Sequence, residues 1–463
     1  MTTSRADLPV VLDRARPLAA QITGQLRDAV TSGVLLAGER LLSTRELAAT
    51  LGVSRTVVTS AYAQLFAEGW LEGRHGSGTY VADVTPGLPP VRVPPGQVPS
   101  GQATPPSASP RETDKGGRIE MLPGVPWADG IDPALWRRAW RYAGTRPPSS
   151  WPTACGLPEL RAELVTYLRR SRALPVTADH ILVTRGVSNG LTGLAATLLS
   201  PGDRAGVEEP GYPAAREVLR RAGAEVVPCR VDEHGVVTDE LPDDLRLLYT
   251  TPAHQYPLGG RLPVARRQAL VAWARRTGTV IVEDDYDGEF RYDVAPLPAL
   301  AAMDPGVVVY LGTTSKMLTP VLGAGWLVAA PGLIDRIAAD RQDISERVPE
   351  PVQHALVQMI TSGALERHVR RVRLEYARRR SVLMGLPGVI GDTAGMHVVM
   401  ELPPGRPAVE VASAACDLGV GVFTLDRYYA GPPDRNGLAL GYGAVPLPDV
   451  RRAAALLRPL LTP

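Results

Sequence analysis

Five short apolar runs, separated by helical patterns, restrict the fold of this chain more than any other feature. They are ILVT at 181–184, AGVEE at 205–209, LRLLYT at 245–250, TVIVED at 279–284 and VVVYLG at 307–312. Short apolar, β-branched runs of this kind read as strands covered on both faces. Alternating with helical patterns from Ile131 onward, they predict a mostly parallel sheet with helices on both sides. Ligands in such folds lie beyond the carboxyl ends of the strands, so the residues just after each run carry the information.

After ILVT comes Arg185-Gly186-Val187-Ser188-Asn189-Gly190, a glycine- and hydroxyl-rich turn that opens a helix. Its backbone N–H groups suit a phosphate. PGYP follows AGVEE and puts Tyr212 at a strand mouth; TPAHQYPLGG follows LRLLYT; Glu283-Asp284-Asp285-Tyr286-Asp287 follows TVIV. After VVVYLG, the turn Thr313-Thr314-Ser315 delivers Lys316. Lys115 and Lys316 are the two lysines of the chain, among 50 basic residues. Arginine does nearly every other cationic job, so a lysine beside a buried strand points to chemistry arginine cannot do. That chemistry is proton loss and attack on an aldehyde to form a Schiff base. From its own segment alone, Lys316 is equally a surface lysine on a loop.

Taken singly these features are weak, since a strand-terminal aspartate is more often a helix cap and Tyr212 more often core. Together they match what pyridoxal phosphate requires. The lysine holds the aldehyde, a carboxylate keeps the pyridine nitrogen protonated so that the ring accepts electrons, and an aromatic side chain stacks on the ring.

The N-terminal stretch follows a different pattern. Leu18, Ile22, Leu26 and Val30 fall on one face of a helix that stops at Gly33. Ser43 reads as an N-cap, with Glu46 completing a capping box and Leu47, Ala48 and Leu51 as the buried face. Beyond Gly52, Ser54 caps a second helix, expected to be buried through Val57, Ala61, Tyr62, Leu65 and Phe66 and to end at Gly69. Two short helices joined at a glycine form a helix-turn-helix, whose second member fits a major groove. WLEGRHGSGTYVA then reads as two strands around a tip carrying Arg74 and His75. Residues 1–81 hold eight Arg against seven Asp or Glu, a net of +1, so bulk charge gives no argument for nucleic acid. The placement of basic residues at helix starts and in the wing does; without it the stretch is a small helical interaction module.

Residues 82–118 are rich in Pro, Gly, Ser and Gln and read as an extended, semi-stiff tether that includes Lys115. Lys316 is therefore the lysine expected in folded territory. Cys155, Cys229 and Cys416 make neither a disulfide framework nor a metal spacing, and no apolar run approaches membrane-spanning length. A soluble cytoplasmic protein is expected, with no metal. The segment 366–380, ERHVRRVRLEYARRR, carries seven arginines and reads as a solvated or subunit-facing helix, with a second DNA-facing surface as the sharper alternative.

GERLLSTRELAATLGVSRTVV followed by LEGRHGSGTYV resembles the GntR-type winged helix-turn-helix domain. Leu42 departs from it, since the family usually has proline before the serine. The resemblance implies double-stranded operator DNA as a partner, contacted by Arg45, Ser54, Arg55 and Thr56 at helix starts and by Arg74 and Gly76 in the wing. Residues 119–463, through GLPELRAEL, VEEPGYPAA, YTTPAHQYPLGG, VEDDYDGEFRY and YLGTTSKMLTP, resemble a fold-type I aminotransferase domain. Its α/β fold is that of pyridoxal 5'-phosphate-dependent transferases, with large and small subdomains. The pairing of the two domains is that of the MocR subfamily of GntR regulators.

This resemblance makes Lys316 the Schiff-base lysine, Asp284 the partner of the pyridine nitrogen and Tyr286 the donor to the ring 3-hydroxyl. It stacks Tyr212 on the ring and puts Ser188, Asn189, Thr313 and Ser315 around the phosphate. Three positions depart from it. Gly323 replaces the arginine that clamps the phosphate, a charge-assisted contact of about 1.5–3 kcal/mol. Trp151 replaces the tyrosine that reaches a phosphate across the dimer interface. Ala439 stands where many aminotransferases place an arginine for the substrate carboxylate, with Arg427 and Arg185 as candidate substitutes.

The implied function is a homodimeric transcriptional regulator that senses pyridoxal phosphate, or its aldimine with a small amine or amino-acid effector, through exchange at Lys316. Two alternatives stay open. One is a working aminotransferase with an autoregulatory DNA-binding domain, against which Ala439 and Gly323 count. The other is a regulator with a cofactor-free scaffold domain, against which Asp284, Tyr286 and Lys316 count.

Overall fold

The computed structural model describes residues 10–74, 78–84, 118–151 and 153–461. The N-terminal unit consists of α1 (Leu18–Thr31), α2 (Thr44–Leu51), α3 (Arg55–Glu68) and the antiparallel hairpin β1 (Leu71–Arg74) and β2 (Gly78–Val81). The capping box closes in both directions: Glu46 N–H donates to Ser43 Oγ (3.2 Å), and Ser43 N–H donates to Glu46 Oε2 (3.0 Å). Two donors that a helix start leaves open are thereby satisfied. Gly52 and Gly69 end α2 and α3 at φ 62° and 83°, where an L side chain would be strained.

Core contacts of α3 come from Val58, Ala61, Tyr62 and Leu65, an i, i+3, i+4, i+7 set. The expected face is corrected at both ends, because Val57 is half-buried and Phe66 is exposed. Phe66 instead borders a groove against the large domain. Arg45, Ser54, Arg55 and Thr56 are exposed. His75, Gly76 and the Arg74 side chain lie outside the described part of the chain.

The large domain opens with β3 (Ile119–Glu120), α4 (Pro133–Gly144) and α5 (Pro158–Arg172). Its main sheet has eight strands: β4 (Ile181–Thr184), β5 (Arg204–Glu209), β6 (Glu225–Asp232), β7 (Gly235–Val236), β8 (Leu247–Thr250), β9 (Val280–Asp285), β10 (Val308–Thr313) and β11 (Gly325–Val328). They are ordered β4-β11-β10-β9-β8-β5-β6-β7. The central pairings are parallel, and β11 runs antiparallel between β10 and β4. Alternate residues of each strand enter different cores. Ile181, Val183, Leu248, Ile281 and Val308 pack on one face with α5 and α8 (Val264–Thr277). Leu182, Val207, Leu247, Val282 and Val309 pack on the other with α6 (Val187–Leu198), α7 (Pro213–Arg221) and α9 (Pro331–Asp343). The doubly covered sheet expected from the five runs is therefore present.

After α10 (Glu350–Thr361) and α11 (Ala364–Leu383), the chain builds a smaller subdomain. It contains β12 (Val389–Ile390), β13 (His397–Glu401), α12 (Ala408–Asp417), β14 (Val420–Gly421), β15 (Phe423–Thr424), β16 (Gly437–Gly441) and α13 (Leu447–Leu461). Four of these strands form an antiparallel sheet ordered β12-β13-β16-β15, and β14 pairs with β3. The reading of 366–380 as a solvated helix is corrected for part of α11. Arg379 is buried against the Trp127 ring (4.5 Å) and donates to Gly443 O (2.5 Å), while Arg380 donates to Asp392 O (2.7 Å). Backbone carbonyls absorb these guanidinium donors, which leaves Arg367, Arg370 and Arg378 in solvent.

The N-terminal unit is seated on the large domain through the far end of α3. Ala295 N–H donates to Gln64 Oε1 (3.0 Å), and Val264, at the start of α8, is buried in the N-terminal core cluster that includes Trp70. Among the described residues no helix is long and apolar enough to cross a membrane, and no His/Cys/Asp/Glu group could hold a metal ion.

Candidate cofactor-binding site

The carboxyl ends of β4, β8, β9 and β10 open into a cavity of about 440 Å³. Gly186, Ser188, Asp284, Tyr286, Thr313, Ser315 and Lys316 wall it from the strand ends, and Tyr212 from the start of α7. Phe423, Arg427 and Tyr428 close it from the small subdomain. The parallel pairing of β9 with β10 sets Asp284 opposite Leu311, so the turn after β10 brings Lys316 to the strand end that carries Asp284. Seven of the eight expected cofactor residues thus meet in one cavity. Asn189 is apart from them: its Oδ1 accepts the Arg185 N–H (2.9 Å) and its amide group donates to Glu346. That side chain secures the first turn of α6 rather than walling the cavity.

Lys316 Nζ donates to Gly124 O (2.6 Å). Gly124 has φ 80°, and a Cβ there would lie 3.2 Å from Nζ, so glycine keeps the lysine's place clear. Burial pulls the Lys316 pKa below its usual value, with Asp284 and Asp287 opposing the shift. Burial also pushes the Asp284 carboxyl up, to about 7. The Tyr249 hydroxyl donates to Asp284 Oδ2, while Oδ1 is buried without a hydrogen-bond partner. Tyr286 Oη is 2.9 Å from His254 Nδ1, which also lies 3.0 Å from Asp287 Oδ2. Thr313 Oγ1 donates to Ser315 Oγ (2.9 Å) and accepts the Ser315 N–H (3.1 Å). Gly186 faces these hydroxyls at φ 112°, a conformation that strains an L side chain, and a Cβ there would be in ordinary contact with Thr313 Oγ1 (3.6 Å) and Ser315 Oγ (3.9 Å).

These residues fit pyridoxal phosphate. An orphaned buried carboxylate oxygen is costly, and a protonated pyridine nitrogen is the donor it lacks. The start of the 12-residue helix α6, with the hydroxyls of Ser188, Thr313 and Ser315, suits a phosphate. The departures are also visible. Gly323 (φ 53°) has no heavy atom within 4 Å of where a Cβ would stand, Trp151 is 87% exposed, and Ala439 is buried in β16. Tyr249 and His254 were not singled out from the sequence. Tyr249 reads as strand core in LRLLYT, and its contact to Asp284 spans 35 positions.

The state of Asp284 leads to a test by pH. Unfolded, its carboxyl titrates near ~3.9; folded, near 7. Between those values the native chain keeps a proton that the unfolded chain has lost. Wild-type stability without cofactor therefore falls as pH rises, by on the order of 1.4 kcal/mol per pH unit from this group, and levels off above the folded value. Asp284→Asn lacks that slope. Its stability relative to wild type is expected to grow from pH ~4 to ~7 and stay high beyond. Thermal unfolding of both proteins across that range checks this, and parallel curves would refute an unpaired buried carboxylate.

Comparison with known proteins agrees with this architecture. Residues 18–81 match the family model for bacterial regulatory proteins of the gntR family, and residues 136–418 match that for aminotransferase class I and II. The chain is 37% identical over 450 residues to the HTH-type pyridoxine biosynthesis transcriptional regulator PdxR of Corynebacterium glutamicum, covering 95% of both chains. It is 33% identical to the probable rhizopine catabolism regulatory protein MocR of Rhizobium meliloti, over 97% of this chain and 95% of that one. The large domain is similar to LysN, an alpha-aminoadipate aminotransferase of Thermus thermophilus complexed with N-(5'-phosphopyridoxyl)-L-leucine. That similarity has a TM-score of 0.67 and 25% identity, covering 75% of this chain and 92% of that chain.

Proposed function

The chain belongs to the MocR-type GntR regulators, a winged helix-turn-helix joined to an aminotransferase-like domain, and from that membership we propose that it binds operator DNA under the control of pyridoxal phosphate. The observation that carries this reading is the unpartnered Asp284 Oδ1 in a carboxylate that walls the same cavity as Lys316. A bound cofactor supplies an aldehyde for Lys316 and a ring nitrogen for Asp284. The exposed Arg45, Ser54, Arg55 and Thr56 at the starts of α2 and α3, with Arg74 and Gly76 in the wing, meet the duplex. The chain acts in the cytoplasm as a homodimer. Trp151 and Val321, 87% and 89% exposed, supply apolar surface for its subunit contact.

Hydrogen bonds support communication between the two ends. Glu283, next to Asp284, accepts the N–H groups of Leu300 (2.7 Å) and Ala301 (2.9 Å). Ala295, at the near end of the same loop, donates to Gln64 on α3. A small amine or amino-acid effector entering the cavity shifts β9 or the small subdomain, and this loop passes the shift to the recognition helix.

The test is affinity for duplexes spanning the DNA that flanks the gene, measured by fluorescence anisotropy with and without pyridoxal phosphate. A cofactor-dependent change in affinity is expected, and equal affinities would refute cofactor control. Arg55→Ala is expected to weaken binding by about 1–3 kcal/mol; unchanged binding would displace α3 as the recognition helix.

A further inference from the structure

One nitrogen behind the cavity wall is shared by two partners. His254 Nδ1 lies 3.2 and 3.0 Å from the two carboxylate oxygens of Asp287 and 2.9 Å from Tyr286 Oη. All three side chains are buried, and of the three only Tyr286 walls the cavity. Among the described residues, His254 is the one hydrogen-bond or ion-pair partner of the Asp287 carboxylate and of the Tyr286 hydroxyl. The imidazole has a reserved place, because a Cβ on Gly395 (φ 82°) would collide with its Cε1. Neighbouring charges are engaged elsewhere: Arg172 pairs with Asp285 and Glu289, and Arg291 with Asp293 and Asp392. His397, its ring centre 5.4 Å from that of His254, keeps Nε2 on Pro257 O (2.8 Å), and burial pulls its pKa down to about 4, so it is uncharged. Asp284 and Lys316 stand on the cavity side.

The proton count at that nitrogen has one solution. A carboxylate has no proton to give, so the contact with Asp287 puts the hydrogen on Nδ1. A nitrogen that donates cannot accept, and the Tyr286 hydroxyl then receives at its oxygen and keeps its own proton for another acceptor. A bare Nδ1 would instead take that proton's hydrogen bond and turn it away from the cavity. Resting on the cofactor-binding reading above, we propose that Asp287 and His254 are positioning residues, which fix the Tyr286 hydroxyl as a donor into the cavity, toward the ring 3-oxygen of the bound cofactor. Asp287 acts two groups away from the ligand: its carboxylate sets the imidazole tautomer, and the tautomer directs the phenol.

The experiment uses the full chain loaded with pyridoxal phosphate and follows the pH midpoint of its Schiff-base absorbance. The 3-oxygen is most negative once the Schiff base has lost its proton, so a donor to it lowers that midpoint. The readout is the rise in midpoint that Tyr286→Phe causes in each background, which cancels the effect of removing the Asp287 charge itself. A rise of about one pH unit is expected in wild type. In Asp287→Leu, Nδ1 is free to accept from the tyrosine, and the rise should fall close to zero. In Asp287→Leu combined with His254→Phe that acceptor is gone and the rise should return, a recovery that a packing role for either residue does not produce. No rise in wild type, an equal rise in Asp287→Leu, or no return in the double background each overturns the assignment alone. If Asp287→Leu does not fold, Asp287→Asn, whose amide can donate to a bare Nδ1, takes its place; a rise smaller than in wild type is expected, and an equal one overturns the assignment. Absence of any cofactor band in wild type overturns the underlying reading, and this proposal with it.

Discussion

Arg172→Met is expected to cost the native state about 3–5 kcal/mol, the range for removing one partner from a buried ionic cluster. Arg172 ends α5 with its side chain 2% exposed and serves two carboxylates at once. Its Nε donates to Asp285, and its other nitrogen lies 2.5 Å from Glu289 Oε1. The Tyr310 hydroxyl donates to Asp285 Oδ2 (2.7 Å) and the Tyr167 hydroxyl to Glu289 Oε1 (2.6 Å). Methionine fills much of the arginine's volume, so the loss would come from two buried anions left without a cation. Burial already pushes the Glu289 carboxyl up. A native carboxyl that is easier to protonate than its unfolded form loses stability as pH rises. The deficit against wild type should therefore be larger at pH ~8 than at pH ~5. The triple variant Arg172→Met, Asp285→Asn, Glu289→Gln, with no charge in the cluster, should recover much of the loss. Thermal unfolding of the three proteins measures it. A single variant as stable as wild type at alkaline pH would show that the cluster does not hold α5 to β9.

That cluster marks where sequence reasoning stops. Five strands of the main sheet were legible because both faces are buried, so nearly every residue of a run such as ILVT is apolar. Three strands escaped notice: β6 alternates exposed and buried residues rather than forming an apolar run, β7 has two residues, and β11, GWLV, is made a strand by two antiparallel neighbours rather than by its own pattern. Lys316 was legible through rarity, and Asp284 through its place at a strand end. Asn189 bonds within the protein instead of walling the cavity, because a turn residue's side chain can face either the ligand or the protein, and Glu346, 157 positions away, decides which. The same cause applies to α11, where Arg379 and Arg380 read as solvent-seeking charges until Gly443 and Asp392 offer them carbonyls. In α3 the adjacent Val57 and Val58 made the phase of the buried face ambiguous, and packing chose Val58. Periodicity and residue type are local signals, whereas hydrogen-bond partners depend on the topology.

Lys316→Ala is expected to abolish the Schiff-base absorbance of protein incubated with pyridoxal phosphate, together with any cofactor effect on operator affinity. Only the unprotonated amine attacks a carbonyl, and burial lowers the Lys316 pKa toward that form. Lys316→Arg is the sharper control. It keeps a cation beside Asp284 and Asp287 but supplies no amine that can form the bond, so it should also lack the band. If charge alone held the cofactor, the arginine variant would behave like wild type. Composition makes the experiment unusually clean, because Lys115 is the one other lysine in the chain. Lys115→Ala should retain the band. A band that survives in Lys316→Ala and vanishes in Lys115→Ala would place the covalent link in the segment between the domains and remove the cavity from the sensing reaction. Neither alanine variant alters a side chain proposed to contact DNA at the starts of α2 and α3. Operator binding without cofactor should therefore match wild type in both, and a drop in Lys316→Ala alone would mean that the lysine braces the fold rather than the cofactor.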